Sequence, residues 1–208
     1  MSQTEDRSAF DWEARFQNDD TPWERPGLHP AAEAWLARGV LARGQSVVIP
    51  GCGRCAEVAA FARAGLKVTA ADLSDTAIAW QKAKIRDEQL SCEYFEGDIL
   101  RSDDQRWCPD VPVDRVYDQT FLCAIHPRLR EQYAYALANL WLKSGGQLLA
   151  LFMQKDERGG PPFGCSLDAM RDLFSDTDWI WPDPNEFQAW PHPNLNGKPE
   201  LAAVLTRR

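Results

Sequence analysis

The sequence has no long hydrophobic run, and its first residues, MSQTEDRSAF, are polar and acidic. A membrane-spanning helix needs about 18 or more apolar residues in succession, and a secretory signal needs a basic stretch leading into an apolar one. We therefore expect no membrane span and no export signal. The six cysteines are irregularly spaced, and several lie in apolar segments, as free buried thiols do. We predict a cytoplasmic protein.

An excess of positive charge is also missing. Among 208 residues, 23 Lys and Arg stand against 31 Asp and Glu, which gives a net charge of -8. Binding to nucleic acid rests largely on basic side chains that neutralise phosphates. The charge therefore argues against a nucleic-acid partner and favours a small molecule. The length favours one domain over residues 1–208, and we expect a monomer.

Metal-binding and catalytic motifs are scarce. Cys52 and Cys55 form a CxxC pair, but a structural zinc site needs four ligands, and there is no second pair. A thioredoxin-type pair at the start of a helix is the alternative. Against it, Cys52 lies between Gly51 and Gly53, which suit a ligand-binding loop. G-x-S-x-G, P-loop lysine and H-E-x-x-H motifs are absent, so we expect no metal.

Strand and helix patterns alternate along the chain. Apolar, β-branched runs predict strands over 46–50, 67–74, 91–98, 113–120, 147–154 and 200–208. Helical spacing predicts helices over 29–44, 54–65, 75–89, 128–146 and 166–174, the fourth closed by Gly145 and Gly146. This alternation predicts an α/β fold of three layers, a doubly wound, mostly parallel sheet with helices on both faces.

The first strand-to-helix turn resembles a nucleotide-binding loop. Gly51 and Gly53 follow the strand SVVIP, and Ala56 stands where a third glycine is usual. Asp72 ends the second strand, where a carboxylate can accept hydrogen bonds from ribose hydroxyls. The alternative is a tight turn followed by an Asp that caps the next helix.

Two further carboxylates fall at strand ends. Asp98, in EGDIL, could bind an adenine amino group while Ile99 packs on the ring; the alternative is a solvated turn. Asp118, in YDQTF, borders the same cleft and could meet an ammonium group or a substrate. Its alternative is a cap at the strand end.

Four stretches together resemble the thiopurine methyltransferase superfamily, especially its plant and bacterial halide and thiol methyltransferases. They are FDWEARFQNDDTPWERPGLHP, VVIPGCGRCAEVAAFARAGLKVTAADLS, YDQTFLCAIHPRLREQYA and GGPPF. The resemblance implies a class I methyltransferase fold with a seven-stranded sheet whose last strand is antiparallel. It implies S-adenosylmethionine (SAM) as cofactor, S-adenosylhomocysteine as product, and an aromatic lid within residues 1–40.

The resemblance also assigns site residues. It implies that Trp12, Phe16 and Trp23 form the aromatic lid and that Gly51, Cys52 and Gly53 form the methionine-binding loop. It also implies that Asp72, with Leu73 beside it, binds the ribose and that Asp98 and Ile99 bind the adenine. Phe16 stands where a Trp is more usual. We add Asp118 as a candidate cofactor contact.

Gln119 departs from the family pattern, which has Arg in the thiopurine enzymes and Tyr in the plant halide enzymes. Gln119 is neutral, and the sequence identifies no basic residue that replaces the Arg, so a thiopurine is not the favoured acceptor. Trp23, Gln119, Phe121 and Phe163 are the candidate substrate pocket.

We expect methyl transfer to a small soft nucleophile: a thiol, thiopurine, sulfide, halide, thiocyanate or metalloid. Such a nucleophile needs positioning and a dry pocket rather than a base or a covalent intermediate. One alternative is O- or N-methyl transfer, for which His126 or Asp118 would have to act as the base. The other is a SAM-binding module without turnover.

Overall fold

The computed structural model describes residues 10–101, 107–194 and 196–208. Within these ranges, the α-helices are α1 Trp12–Gln17, α2 Pro30–Ala37, α3 Glu57–Arg63, α4 Asp75–Asp87, α5 Phe121–Ala124, α6 Arg130–Ala136 and α7 Leu167–Leu173. The strands are β1 Ser46–Pro50, β2 Lys67–Asp72, β3 Glu93–Glu96, β4 Val113–Asp118, β5 Leu142–Met153, β6 Trp179–Ile180, β7 Gln188–Pro191 and β8 Pro199–Arg207.

These strands form one sheet in the order β3-β2-β1-β4-β5-β8-β6, with β7 also paired to β8. Strands β1 to β5 are mutually parallel, and β8 runs antiparallel to β5. The sheet has eight strands rather than the expected seven. The extra strand arises because the edge beside β8 is interrupted: β6 pairs with its C-terminal end and β7 with its N-terminal end. The doubly wound α/β class is confirmed.

Helices cover both faces of the sheet, and alternate strand residues supply two hydrophobic cores. In β1, Val48 joins the core formed with α6 and α7, whereas Val47 and Ile49 join the core formed with α2 and α3. Because β1 lies in the middle of the sheet, all three side chains are buried. The buried sheet fixes where the strand ends lie.

The predicted helix 128–146 is wrong in its last five residues, 142–146. Helix α6 is followed by a π-helical turn at Leu137–Trp141, and β5 begins at Leu142. Leu142 is buried and pairs with Val113, so sheet pairing overrides the helical pattern. Gly146 lies inside β5 rather than at the end of a helix. A Cβ there would lie 2.8 Å from the Lys143 carbonyl oxygen and 3.2 Å from that of Val113, so the close packing of the strand requires glycine.

Helix α2 falls within residues 1–40, the predicted lid, but it does not form part of a lid. Its residues Ala31, Ala32 and Trp35 are buried in the core beside β1, so this helix belongs to the main body of the fold. It also ends at Ala37, short of the predicted helix 29–44. Residues 1–9 lie outside the described ranges. None of the helices in those ranges combines the length and apolar character needed to cross a membrane.

Candidate functional site

The carboxyl ends of β1, β2, β3 and β4 meet at one edge of the sheet, as parallel strands require. The segment around α1 lies over this edge and encloses a cavity of about 310 Å³. Most of the predicted site residues line it: Trp12, Phe16, Trp23, Gly51, Asp72, Leu73, Asp98, Ile99, Phe121 and Phe163. Residues from six separate parts of the sequence are thus brought together.

The glycine loop after β1 has left-handed backbone at Gly51 (φ +57°) and Gly53 (φ +48°). A Cβ on Gly51 would lie 2.7 Å from Cδ2 of Phe121, and one on Gly53 would lie 3.1 Å from Cζ of Phe16. The loop is held against β2, because the Cys52 N–H donates to the Ala71 carbonyl at 3.0 Å. Close packing and backbone conformation both require glycine here.

Asp72 holds the glycine loop and also faces the cavity. Its Oδ2 accepts from the Gly53 N–H at 2.7 Å, and its Oδ1 accepts from the Ser74 N–H at 2.9 Å. Burial raises the pKa of this carboxyl. Each carboxylate oxygen can accept more than one hydrogen bond, so capacity remains for a ligand hydroxyl. Leu73 beside it is 55% exposed, which is unusual for a large apolar side chain.

Asp98 and Ile99 lie at the neighbouring strand end. Asp98 Oδ1 accepts from the Leu100 N–H at 2.9 Å. This is the contact expected if Asp98 is a turn residue, the alternative to adenine binding. Both residues nevertheless line the cavity, together with Gly97. The turn therefore presents Asp98 and Ile99 to the cavity beside Asp72.

Asp118 does not line either of the two cavities at this edge. It is buried, and its Oδ1 accepts from the N–H groups of Phe121 and Leu122, both at 3.1 Å. Its Oδ2 accepts from the Tyr133 hydroxyl at 2.8 Å. Burial raises the pKa of Asp118 to about 6. The geometry is that of the capping alternative rather than of a cofactor contact.

Gln119 lies apart from the large cavity. It lines a second cavity of about 40 Å³ behind the glycine loop, together with Cys52 and Gly53. Its Oε1 accepts from the Tyr117 hydroxyl at 3.0 Å. Gln119 therefore does not share a cavity with Phe121 and Phe163, as the predicted substrate pocket required.

Aromatic rings form the roof of the large cavity. Trp23 contacts Trp12 edge-on, with ring centroids 5.4 Å apart, and contacts Phe16 in the same way at 5.9 Å. Phe10 extends the cluster, with its centroid 4.4 Å from that of Trp12. We call Phe10 to Trp23 the aromatic cover.

Ion pairs and hydrogen bonds fasten the aromatic cover to the sheet. Arg54, which follows the glycine loop, donates to Glu24 at 2.7 Å, to Asp19 at 2.6 Å and to Thr21 at 2.9 Å. The His192 Nε2 lies 3.1 Å from the Trp23 carbonyl oxygen. These partners are 30 to 169 residues apart in the chain, and no sequence motif predicts the contacts between them.

The opposite rim of the cavity is the segment that contains GGPPF. Lys155 Nζ donates to the carbonyls of Gly159 at 2.8 Å and Pro162 at 3.0 Å, and the Phe163 N–H donates to the Cys123 carbonyl at 2.7 Å. The ring of Phe163 packs edge-on to that of His126, with centroids 5.5 Å apart. The rim is therefore built of aromatic and proline side chains on a tied loop.

The CxxC pair does not have the properties of reactive thiols. Cys52 is buried, and burial raises the pKa of both Cys52 and Cys55 well above the usual value. Nucleophilic and redox-active thiols require a lowered pKa. Among the residues that the structure describes, no cluster of three His, Cys, Asp or Glu side chains could hold a metal.

Known proteins resemble the chain in sequence and fold. The model of the thiopurine S-methyltransferase (TPMT) family matches residues 7–182. The probable thiol methyltransferase 2 of Arabidopsis thaliana is 33% identical, over 78% of this chain and 70% of that protein. The thiopurine S-methyltransferase of Psychrobacter cryohalolentis is 25% identical, over 93% of this chain and 94% of the relative.

Solved structures agree on the fold. The 1,6-didemethyltoxoflavin-N1-methyltransferase of Burkholderia thailandensis, crystallised with bound 1,6-didemethyltoxoflavin and S-adenosylhomocysteine, superposes with a TM-score of 0.73 at 18% identity. The match covers 93% of this chain and 84% of that one. The predictions of a class I fold and of a SAM-dependent methyltransferase are confirmed. The chain belongs to the thiopurine S-methyltransferase family.

Proposed function

We propose that the large cavity is the active site, in which a methyl group passes from SAM to a small, soft, anionic sulfur or halide nucleophile. The observation that carries the proposal is the cavity of about 310 Å³, where the ends of the parallel strands meet the aromatic cover. Ligands of open α/β sheets bind at this edge. The size is that of a small-molecule site.

The lining fits each part of the cofactor. Asp72 would accept hydrogen bonds from the ribose hydroxyls, and the exposed Leu73 offers an apolar surface to the adenine, next to Asp98 and Ile99. The methionine part would pass the glycine loop. Gly51, Trp23 and Thr120 line both the large cavity and the small one, so the two cavities meet at this point.

Bound SAM supplies an electrophilic methyl group on a positively charged sulfur. Trp12, Phe16 and Trp23 present aromatic rings to the cavity, and such rings attract a cation. The cover lies over the cavity and would exclude water from an attacking anion, which strengthens the anion's electrostatic interactions. The contribution of these residues is thus to position the reactants and to exclude solvent.

Neither of the two predicted bases is well placed in the part of the chain that the structure describes, which supports a soft nucleophile over an oxygen or nitrogen acceptor. Asp118 is sealed beneath α5 and has its contacts inside the protein. His126 lines the cavity, but its Nδ1 accepts from the Arg128 N–H at 3.3 Å. In neutral His126 the proton then lies on Nε2, so that atom donates and does not accept. An anion needs no such base.

Calorimetric titration with SAM and S-adenosylhomocysteine tests the site. We expect Asp72→Asn to weaken both affinities at least about tenfold, because it replaces charged hydrogen bonds by neutral ones. Asp87→Asn, at the exposed end of α4, removes the same charge elsewhere and should leave both unchanged. Equal affinities of Asp72→Asn and the wild type would overturn the ribose assignment.

Turnover is tested by release of S-adenosylhomocysteine with thiocyanate, iodide, bisulfide and small thiols as acceptors. We expect at least one anionic acceptor to be methylated, with no turnover of alcohols and amines. Cofactor binding without turnover of any acceptor would instead support a binding module. Preferential turnover of an alcohol or amine would require a base that we have not assigned.

A further inference from the structure

The lining of the large cavity carries a single Lys or Arg among the residues that the structure describes, and it is Arg15 of α1. The carboxylates of the lining, Asp72 and Asp98, belong to the strand ends. Arg15 belongs instead to the aromatic cover. Charges of opposite sign therefore enter the cavity from two separate parts of the fold.

Aromatic rings hold the guanidinium of Arg15 in place. Its central carbon lies 4.9 Å from the ring centroid of Phe10 and 5.6 Å from that of Trp23. Nη1 pairs with Asp20, and the side chain as a whole is 34% exposed. Packing against two rings makes the group a planar donor of fixed orientation.

One edge of this guanidinium lacks a protein partner. Nε of Arg15 is buried, and it makes no hydrogen bond to any residue in the described ranges. A buried, unpaired N–H is unfavourable, and more so on a charged group. Because Nε has no accessible surface while the side chain lines the cavity and is 34% exposed, an anion in the cavity would meet the guanidinium through its terminal nitrogens, Nη1 and Nη2.

The neighbouring polar groups cannot replace Arg15. Gln119 is neutral, lines the other cavity and bonds to Tyr117. His126 lies on the opposite rim against Phe163. Trp23, on which Arg15 packs, lines both cavities and so stands where they meet. An anion on Arg15 would thus lie close to the proposed place of the methionine part of the cofactor.

We propose, on the basis of the proposed function, that Arg15 binds the anionic methyl acceptor and selects for negative charge. The guanidinium donates hydrogen bonds to the anion beneath Trp23 and draws it away from Asp72 and Asp98. The selection is for small anions such as thiocyanate, a halide or a thiolate. Arg15 thereby replaces the cationic side chain that Gln119 does not provide.

The test uses the full chain saturated with S-adenosylhomocysteine. Sodium thiocyanate is titrated at constant ionic strength while tryptophan fluorescence is recorded. We expect saturable binding by the wild type, at least tenfold weaker binding by Arg15→Gln, and an intermediate value for Arg15→Lys. Arg86→Gln removes the same charge at an exposed site on α4 and should match the wild type.

Turnover gives a second measurement. In Arg15→Gln the KM for thiocyanate should rise at least tenfold, while the affinity for S-adenosylhomocysteine changes less than twofold. Thiocyanate binding that is absent in the wild type, or equal in wild type and Arg15→Gln, overturns the proposal. A fall in cofactor affinity in Arg15→Gln equal to that in anion affinity also overturns it, since it would show a purely structural role. Failure of the wild type to bind S-adenosylhomocysteine refutes the proposed function separately.

Discussion

Gly51 is constrained by the protein itself before any ligand is considered. Its left-handed φ of +57° disfavours any side chain, and Phe121 occupies the space of a Cβ. The loop that would meet a cofactor is thus shaped by the first residue of α5. Gly53 and Phe16 repeat the arrangement, so the aromatic cover packs directly on the loop.

We predict that Gly51→Ala destabilises the fold by about 2 to 4 kcal/mol, the sum of conformational strain and the contact with Phe121. Gly39→Ala is the matched control, because Gly39 has φ +73° and no atom within 4 Å of the Cβ position. It should lose only about 1 kcal/mol, the conformational part. Urea unfolding measures both, and equal losses would rule out the contact.

Sequence reasoning identified residues whose place follows from a strand end, and it failed where the place depends on distant packing. Asp72 was found because it ends β2, whose ends the sheet fixes. For Asp118 the sequence left a ligand contact and a cap open, and the outcome depends on Tyr133, which reaches back from α6. The place of Arg15 in the cavity lining could not be predicted, because it depends on how the aromatic cover folds over the strands.

At the level of elements, buried strands were predicted best and the borders between helix and strand worst. The start of β5 reads as the end of a helix, because Leu137, Trp141 and Leu142 are apolar and a glycine pair follows. Only the pairing of Leu142 with Val113 settles it as a strand. Local pattern carries no information about that partner.

Helix α1 is docked on the N-terminus of α4 through one carboxylate. Glu13 accepts from the hydroxyls of Ser74 and Thr76 and from the Thr76 N–H at 3.2 Å. These hydrogen bonds lower the pKa of Glu13 from 4.5 to about 2. Because the folded pKa is the lower one, the contact stabilises above about pH 4.5 and is lost as the pH falls toward 2.

We predict that Glu13→Gln loosens α1 at neutral pH without unfolding the sheet. Backbone amides of Trp12–Gln17 should exchange with deuterium several-fold faster than in the wild type, while those of β1 are unchanged. Glu33→Gln, also in the first turn of a short helix but exposed, is the control and should leave α1 as it is. Equal exchange of α1 in all three proteins would refute the docking role.

At the scale of the whole molecule, buried polar contacts link the N-terminal part of the chain to the last strand, β8. Glu200 on β8 is fully buried and pairs with Arg25, which follows the aromatic cover, and with His29 at 3.3 Å. Burial alone would raise the pKa of Glu200, but hydrogen bonds from His29 and Arg25 lower it below its usual value. Sheet order could be expected from the alternating pattern, but this long-range pairing could not. The cover is therefore held by the strand that closes the sheet as well as by α4.

Asp118 makes the stability of the whole fold depend on pH. Its folded pKa of about 6 exceeds the unfolded value of 3.8, because burial disfavours the charged form. The ionised carboxylate therefore opposes folding above about pH 6, and stability rises as the pH falls from about 6 toward 4. This difference between the folded and unfolded pKa of Asp118 corresponds to at most about 3 kcal/mol of the free energy of unfolding.

We predict that this gain disappears in Asp118→Asn, which keeps an acceptor for the Phe121 and Leu122 N–H groups but cannot ionise. Burial also raises the pKa of Glu57 and Asp72, yet both groups are present in either protein and cancel in the comparison. Urea unfolding of the two proteins from pH 7.5 to pH 4 measures the difference. The free energy of unfolding of the wild type should rise relative to that of Asp118→Asn as the pH falls. A constant difference between the two proteins would show that Asp118 does not titrate in this range.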